Sequence, residues 1–222
     1  MSKLSDFKAE YYNMEENKIP SMESEIIEAL RKDGLLIKHI KNQTLEMKFT
    51  AVRQNGVSLN YIQDPTDEVR MIAIKQCGFS IYHIKNPTNE MCMEAVKQNG
   101  LSIQCIDNPT NEMCMEAVKQ NGLAIRQIKN PTNEMCIEAI RQNPLAIHCI
   151  DNMTEELYIE AVKCDWEILG QILDQTEEMC LIAIKQNGLA LKYVVNQTER
   201  ICLEAIAQDH SALMYVDPRL FI

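Results

Sequence analysis

Residues 86–101, Asn-Pro-Thr-Asn-Glu-Met-Cys-Met-Glu-Ala-Val-Lys-Gln-Asn-Gly-Leu, recur without a change at residues 108–123, and a worn third copy begins at Asn130. One alanine marks the register: Ala29, Ala51, Ala73, Ala95, Ala117, Ala139, Ala161, Ala183 and Ala205 follow one another at an interval of 22, with no insertion or deletion. Independent domains joined by linkers would drift out of such a register. Stacked units that each touch their neighbours keep it. The chain is therefore expected to form a single solenoid repeat domain over residues 21–216, with an N-terminal cap segment at 1–20 and a C-terminal cap at 217–222. Phe7, Tyr11 and Tyr12 would cover one open end. Leu220, Phe221 and Ile222 would fold back over the last helix pair at the other.

One repeat reads as follows. Asn108-Pro109 is a turn, because proline fixes its own backbone and pushes the preceding residue out of the helical region. Thr110 is the expected helix N-cap, and eight of the nine repeats carry threonine there. Met113, Cys114, Ala117 and Val118 recur at helical spacing as an apolar face, with Glu112, Glu116, Lys119 and Gln120 opposite. Glu112 favours the positive end of the helix dipole, and Glu116 can pair weakly with Lys119 one turn on. Gly122 stands where a left-handed residue would end the helix. The alanine lets neighbouring helices approach to the close end of the usual ~8–10 Å spacing.

The remaining stretch, residues 123–129, is short, with Leu123, Ile125 and Ile128 as its apolar positions. A short second helix gives an all-α fold, an α-α solenoid of nine 22-residue helix-turn-helix repeats. A strand would give the alternative, a leucine-rich-repeat-like α/β horseshoe. The helix is preferred. A horseshoe repeat wants an apolar residue soon after its asparagine, whereas Asn130 is followed by Pro131-Thr132-Asn133-Glu134.

The net charge of -10 opposes binding to phosphate backbones and anionic membranes, so neither nucleic acid nor membrane is an expected partner. No apolar run approaches bilayer-spanning length. Nine cysteines and an N-terminus without a signal-like apolar core point to free thiols in a reducing, cytoplasmic setting. Three glycosylation-type triplets, at Asn42, Asn152 and Asn196, fall on the repeat's own turn and read as structural.

No catalytic or metal-binding constellation stands out. Cys92, Cys114, Cys136, Cys180 and Cys202 form one column on the apolar face. A ladder with helix-to-helix spacing is too wide for disulfides and does not converge on a metal. The column therefore reads as buried apolar thiols, and no cofactor or metal is expected. The four histidines form no nucleophile–base pair. Gln54, Gln76, Gln98, Gln120, Gln142, Gln186 and Gln208 form a ladder that could read an extended partner or simply be solvated. The asparagines at 55, 99, 121, 143 and 187 are expected to satisfy backbone groups at the turn.

The pattern fails in one region. Pro144 replaces the glycine of one repeat. In the next, Cys164, Asp165 and Trp166 stand where glutamine, asparagine and glycine belong, and Trp166 is the single tryptophan. Tryptophan among charged neighbours is the usual make-up of a binding hot spot. The candidate partner-binding residues are His148, Asp151, Asp165, Trp166 and Glu167. The plainer reading is that the replacements change the turn and local curvature.

The phrases Thr110-Asn111-Glu112-Met113-Cys114 through Gly122, and Thr176-Glu177-Glu178-Met179-Cys180 with Ala183 through Val194, resemble a family known only as domain of unknown function 4116, abundant in giant, mimivirus-like viruses. The resemblance spans roughly residues 22–216. It implies a helical repeat protein of viral or host-interacting character and carries no catalytic residue across. Together these readings point to a non-enzymatic protein–protein interaction scaffold, monomeric or weakly oligomeric, whose unidentified partner is a host protein if the chain is viral. The alternative is a helical-repeat nucleic-acid binder, which the charge disfavours.

Overall fold

The structure, a computed structural model, describes residues 19–221. Phe7, Tyr11 and Tyr12 of the expected N-terminal cap, and Ile222, lie outside the described residues. The chain divides into two compact halves, up to Asp107 and from Asn108. The first half holds α1 (Ile19–Lys32), η1 (Gly34–His39), α2 (Leu45–Gln54), η2 (Gly56–Tyr61), α3 (Asp67–Gln76), η3 (Gly78–His83), α4 (Asn89–Gln98) and η4 (Gly100–Cys105), where η denotes a 3₁₀ helix. The second holds α5 (Asn111–Gln120), η5 (Gly122–Gln127), α6 (Asn133–Gln142), η6 (Pro144–Cys149), α7 (Glu155–Cys164), η7 (Trp166–Gln171), α8 (Glu177–Gln186), η8 (Gly188–Tyr193), α9 (Glu199–Gln208), η9 (His210–Tyr215) and the short η10 (Pro218–Phe221). Repeat n is αn with ηn. The fold is an all-α helical repeat solenoid, and no strand occurs among the described residues. The horseshoe alternative falls because its would-be strand is the 3₁₀ helix Gly122–Gln127.

Local chemistry explains the alternation of helix types. Each of the eight threonines caps a helix: Thr88 Oγ1 accepts from the Met91 N–H at 3.2 Å, and Thr110 does the same for Met113. After ten helical residues the chain leaves the α-helix through an extended residue. Asn121, with φ -152°, still donates its N–H to the Ala117 carbonyl at 2.9 Å. Its side chain then accepts from the Leu123 N–H at 3.0 Å and so starts η5. Asn55, Asn99, Asn143 and Asn187 act identically, and Asp33, Asp165 and Asp209 substitute for asparagine with the same geometry. One residue is thus a C-cap and an N-cap at once, which leaves room for only six residues of tight helix before the next turn.

The glycine after the asparagine is not left-handed. No described glycine has positive φ. The left-handed residues are Asp64, Asn86 and Asn130, each immediately before a proline, where a short polar side chain tolerates that region. Glycine is required for close approach. A Cβ placed on Gly78 would lie 2.6 Å from the backbone oxygen of Ala95 in the next repeat, a distance no real Cβ tolerates. The alanine column thus serves the same contact from the other side. Ala51, Ala73 and Ala95, and Ala117 through Ala205, are fully buried.

The glutamine ladder, though its residues stay exposed, uses its side-chain oxygens at these contacts. Gln98 Oε1 accepts from the Gly78 N–H at 2.7 Å, and Gln54, Gln76, Gln142 and Gln208 bond Gly34, Gly56, Gly122 and Gly188 in the same way. These five side-chain oxygens staple one repeat to the next. Gln43, Gln175 and Gln197 make a second kind of tie. Gln175 Nε2 donates to the carbonyls of Leu169 and Tyr193, ending two successive 3₁₀ helices, while its Oε1 accepts from Val195 N–H. Where this position is proline, as at Pro65 and Pro87, that tie is chemically impossible.

The core is a strip. In repeat 4 it comprises Met91, Cys92, Ala95, Val96 and Ile103, all buried. Each fully buried Val or Ile contributes roughly 1.5–3 kcal/mol. Among the polar residues, Ser58, Ser80 and Ser102 are fully buried in η2, η3 and η4, and their hydroxyls have no hydrogen-bond partner among the described residues. At the C-terminal end Leu203, Leu213 and Met214 stay 60%, 60% and 73% exposed, and Leu220 is 43% exposed.

Candidate partner-binding surface

With caps, staples and core assigned, the side chains left facing solvent fall in two bands. On the α-helices, carboxylates hold the first turn, at Glu46, Glu68 and Glu90 in the first half and Glu112, Glu134, Glu156 and Glu178 in the second. Cations hold the last turn, at Arg53, Lys75 and Lys97, and at Lys119, Arg141, Lys163 and Lys185. Both rows complement the helix dipoles. The i,i+3 pairing expected along this face forms in repeat 1, where Arg31 Nη1 stands 3.3 Å from Glu28, and in repeat 7, where Lys163 Nζ stands 3.9 Å from Glu160. On the 3₁₀ side, the second residue of each short helix is mostly apolar and partly exposed. In the first half these are Leu35, Val57, Phe79 and Leu101; in the second half Leu123 and Leu145 hold the same place. Val57, Leu123 and Leu145 are 40%, 39% and 51% exposed. Glu167 then interrupts this row in the second half.

The five residues singled out from the sequence are distributed as follows. Asp165 is the capping residue of η7, accepting from the Glu167 N–H at 2.9 Å. Trp166 is half-buried and turns toward repeat 8. Its ring centroid lies 5.9 Å from that of Tyr193, and Lys192 Nζ stands 5.5 Å from the Trp166 ring and 4.6 Å from the Tyr193 ring. Such a cation over aromatic faces contributes about 0.5–1 kcal/mol at an exposed site. His148, on η6, bonds Gln171 at the end of η7, 2.7 Å from Nε2 to Oε1. Asp151 and Glu167 are exposed. The structure therefore links Trp166 to Tyr193 and Lys192, and His148 to Gln171. No hydrogen bond or ring contact joins the two sets among the described residues.

Sequence reasoning missed Tyr193, Lys192 and Gly170 as the surroundings of Trp166. The signal was there as an exchange of sizes. Repeat 7 puts tryptophan where six of the other eight repeats have glycine, and glycine at 170 where the others carry a side chain. A Cβ on Gly170 would lie 2.8 Å from the Tyr193 ring, so the glycine makes room for the tyrosine.

All nine cysteines are free thiols. Burial pushes the thiols of Cys92, Cys114, Cys136, Cys180 and Cys202 above their ordinary value. A high thiol pKa suits packing and opposes nucleophilic chemistry. Among the described residues no group of three or more His, Cys, Asp or Glu side chains is placed to hold a metal ion, and no helix is long and apolar enough to cross a membrane. A shallow hollow of about 510 Å³ on α9 is lined by Glu199, Arg200, Leu203, Glu204 and Ala207, away from Trp166.

A family model described as Domain of unknown function (DUF4116) matches residues 88–131 and 176–221. The chain is similar to that family over these two stretches. No curated protein and no solved structure matches. Each matched stretch begins on a capping threonine, Thr88 or Thr176, and runs through two repeats. The gap between them, residues 132–175, holds Pro144, Met153, Cys164 and Trp166, where the repeat departs most from its own pattern.

Proposed function

We propose that the protein is a non-enzymatic protein–protein interaction scaffold. The observation that carries this reading is the in-register apolar row on the 3₁₀ helices. Its members occupy a repeated apolar position that is left partly exposed, as are Met93, Met115 and Ile137 on the α-helices, while the helical core positions around it are closed. Repetition at a fixed spacing suits a partner that lies along the array and presents apolar groups at matching intervals. The charge supports a protein rather than a nucleic acid as partner: residues 108–222 carry 17 acidic against 9 basic side chains. The half-exposed Trp166 with Lys192 and Tyr193 is the proposed specificity element at the point where Glu167 interrupts the row. His148, Asp151, Asp165 and Glu167 flank it. The family likeness suggests a viral chain acting on host components in the host cytoplasm, and the free thiols fit a reducing compartment.

The test is a quantitative capture comparison. The full chain, Leu145→Glu, Leu123→Glu and Trp166→Ala would be used as baits in host-cell cytosol, with isolated binding of each enriched protein measured afterwards. The scaffold reading expects a defined protein whose affinity drops at least about tenfold in the leucine variants, as loss of a central apolar anchor does. Tight, salt-dependent binding of RNA by the pure chain would overturn it.

A further inference from the structure

The two kinds of glutamine tie make it possible to compare every joint inside each half. Between repeats 1 and 2 both ties are present, through Gln54 and Gln43. Between 2 and 3, between 3 and 4, and between 5 and 6, the Gly–Gln staple holds. Between 7 and 8, Gln175 ties the 3₁₀ ends and Gln186 Nε2 donates to the Val162 carbonyl at 2.7 Å. Between 8 and 9 both ties return, through Gln208 and Gln197.

The joint between repeats 6 and 7 can have neither. Pro144 has no N–H to offer, and Cys164 has no amide to receive one. Met153 occupies the place of Gln175 and cannot donate. A further difference falls at the same point. Every other six-residue 3₁₀ helix among the described residues closes by returning the N–H of its capping residue to the third residue back, as Ile128 does to Ile125 at 3.1 Å and Ile172 to Leu169 at 3.2 Å. Ile150, which caps η6, makes no such bond.

What spans this joint instead lies at the surface. Arg141 Nε meets Glu160 Oε1 at 2.6 Å, with the arginine side chain 58% and the glutamate side chain 18% exposed. His148 meets Gln171 at 2.7 Å, and Asn133 Nδ2 donates to Glu156 Oε2 at 3.3 Å. Ion pairs at the surface are weakened by salt, whereas the part-buried bond from a glycine N–H to a neutral glutamine amide is not.

We propose that the joint between repeats 6 and 7 is where the C-terminal half opens: a latch of surface side-chain pairs that includes an ion pair takes the place of the uncharged Gly–Gln staples and releases with ionic strength. Opening parts the α6–η6 layer from the α7–η7 layer and bares Ile147, Ile150 and Leu157, which are buried when it is shut. The joints on either side keep their ties and move as blocks.

Hydrogen exchange on the full chain, corrected for intrinsic rates, tests this. Amides of residues 145–152 should exchange about fivefold faster than their equivalents at 123–130 and 189–196, the factor expected for one missing hydrogen bond. Raising NaCl from about 50 mM to about 500 mM should speed residues 145–152 about twofold and leave the other two segments unchanged. Glu160→Gln should abolish that salt response while leaving the overall unfolding midpoint nearly in place. The double variant Pro144→Gly with Cys164→Gln should restore the staple and slow exchange at 145–152 about fivefold beyond the sum of the two single variants. Equal exchange in the three segments, a salt response shared by all of them, or strict additivity in the double variant would each overturn the proposal.

Discussion

Ser80 offers the sharpest check on how this core is built. Its hydroxyl is fully buried and without a hydrogen-bond partner among the described residues, as are those of Ser58 and Ser102. Burying a hydroxyl unpaired costs about 1–3 kcal/mol by mutational measures. The equivalent positions in η5, η6, η8 and η9 are Ala124, Ala146, Ala190 and Ala212, all fully buried, so alanine fits this backbone. In Ser80→Ala the oxygen's departure opens roughly 10 Å³, which at about 24 cal/mol per Å³ costs about 0.2 kcal/mol. The void is small because Ser80 Oγ sits close to Gly56, 2.9 Å from where a Cβ there would be. The net expectation is a gain of about 1 kcal/mol. Repeat arrays need not unfold in one step, so local hydrogen exchange at η3 is the proper assay beside the urea midpoint. Protection there should rise about fivefold. A loss of 1 kcal/mol or more would mean that the hydroxyl is bonded and that the geometry described for this column is wrong.

Other expectations follow from the same joints and caps. Gly78→Ala would ordinarily stabilise a residue with negative φ, yet here the new Cβ meets a backbone oxygen at 2.6 Å, so a loss of more than about 1–3 kcal/mol is expected in urea melts. Gln98→Ala leaves the Gly78 N–H without its acceptor and should cost about 1–3 kcal/mol, whereas Gln98→Glu should recover part of that loss by keeping an oxygen in place. Thr88→Ala removes an N-cap and should cost about 1 kcal/mol, with amides of the first turn of α4 losing protection first. The buried thiols titrate above their ordinary 9.0 because the fold favours the neutral form. Their contribution is therefore whole below that value and drains as pH rises through the higher folded values, so urea midpoints should fall from about pH 9 upward and fall less in Cys114→Ala.

Much of the architecture was legible from spacing. Capping threonines, a buried alanine column and a ten-residue apolar stripe are local patterns, and each is decided within one repeat. The glycine and glutamine were misread for a common reason: each one's partner lies 20 residues away in another repeat. A glycine after a helix looks like a left-handed terminator, and a glutamine on a polar face looks solvated, when each is considered alone. One clue did sit in the sequence. Where glycine becomes Pro144, the glutamine 20 positions on becomes Cys164, so donor and acceptor vanish together. The site was less legible because Trp166 meets Tyr193 and Lys192 from the following repeat, and no periodicity within repeat 7 announces them.

The staple also sets a rule for how such a chain can be lengthened or shortened. Its offset is constant, so excising or duplicating a 22-residue block whose ends fall among intact repeats hands each glycine a new glutamine of the same kind. A cut made between residues 144 and 164 is different. It would set Pro144 against a glutamine with nothing to accept from that site, or a glycine N–H against a cysteine that cannot receive it. Repeat 7 is matched to repeat 8 as well, through Trp166 and Gly170 against Tyr193 and through Gln186 on the Val162 carbonyl. Shuffling experiments should therefore recover the array in whole repeats only where the junctions fall outside the run from repeat 6 to repeat 8.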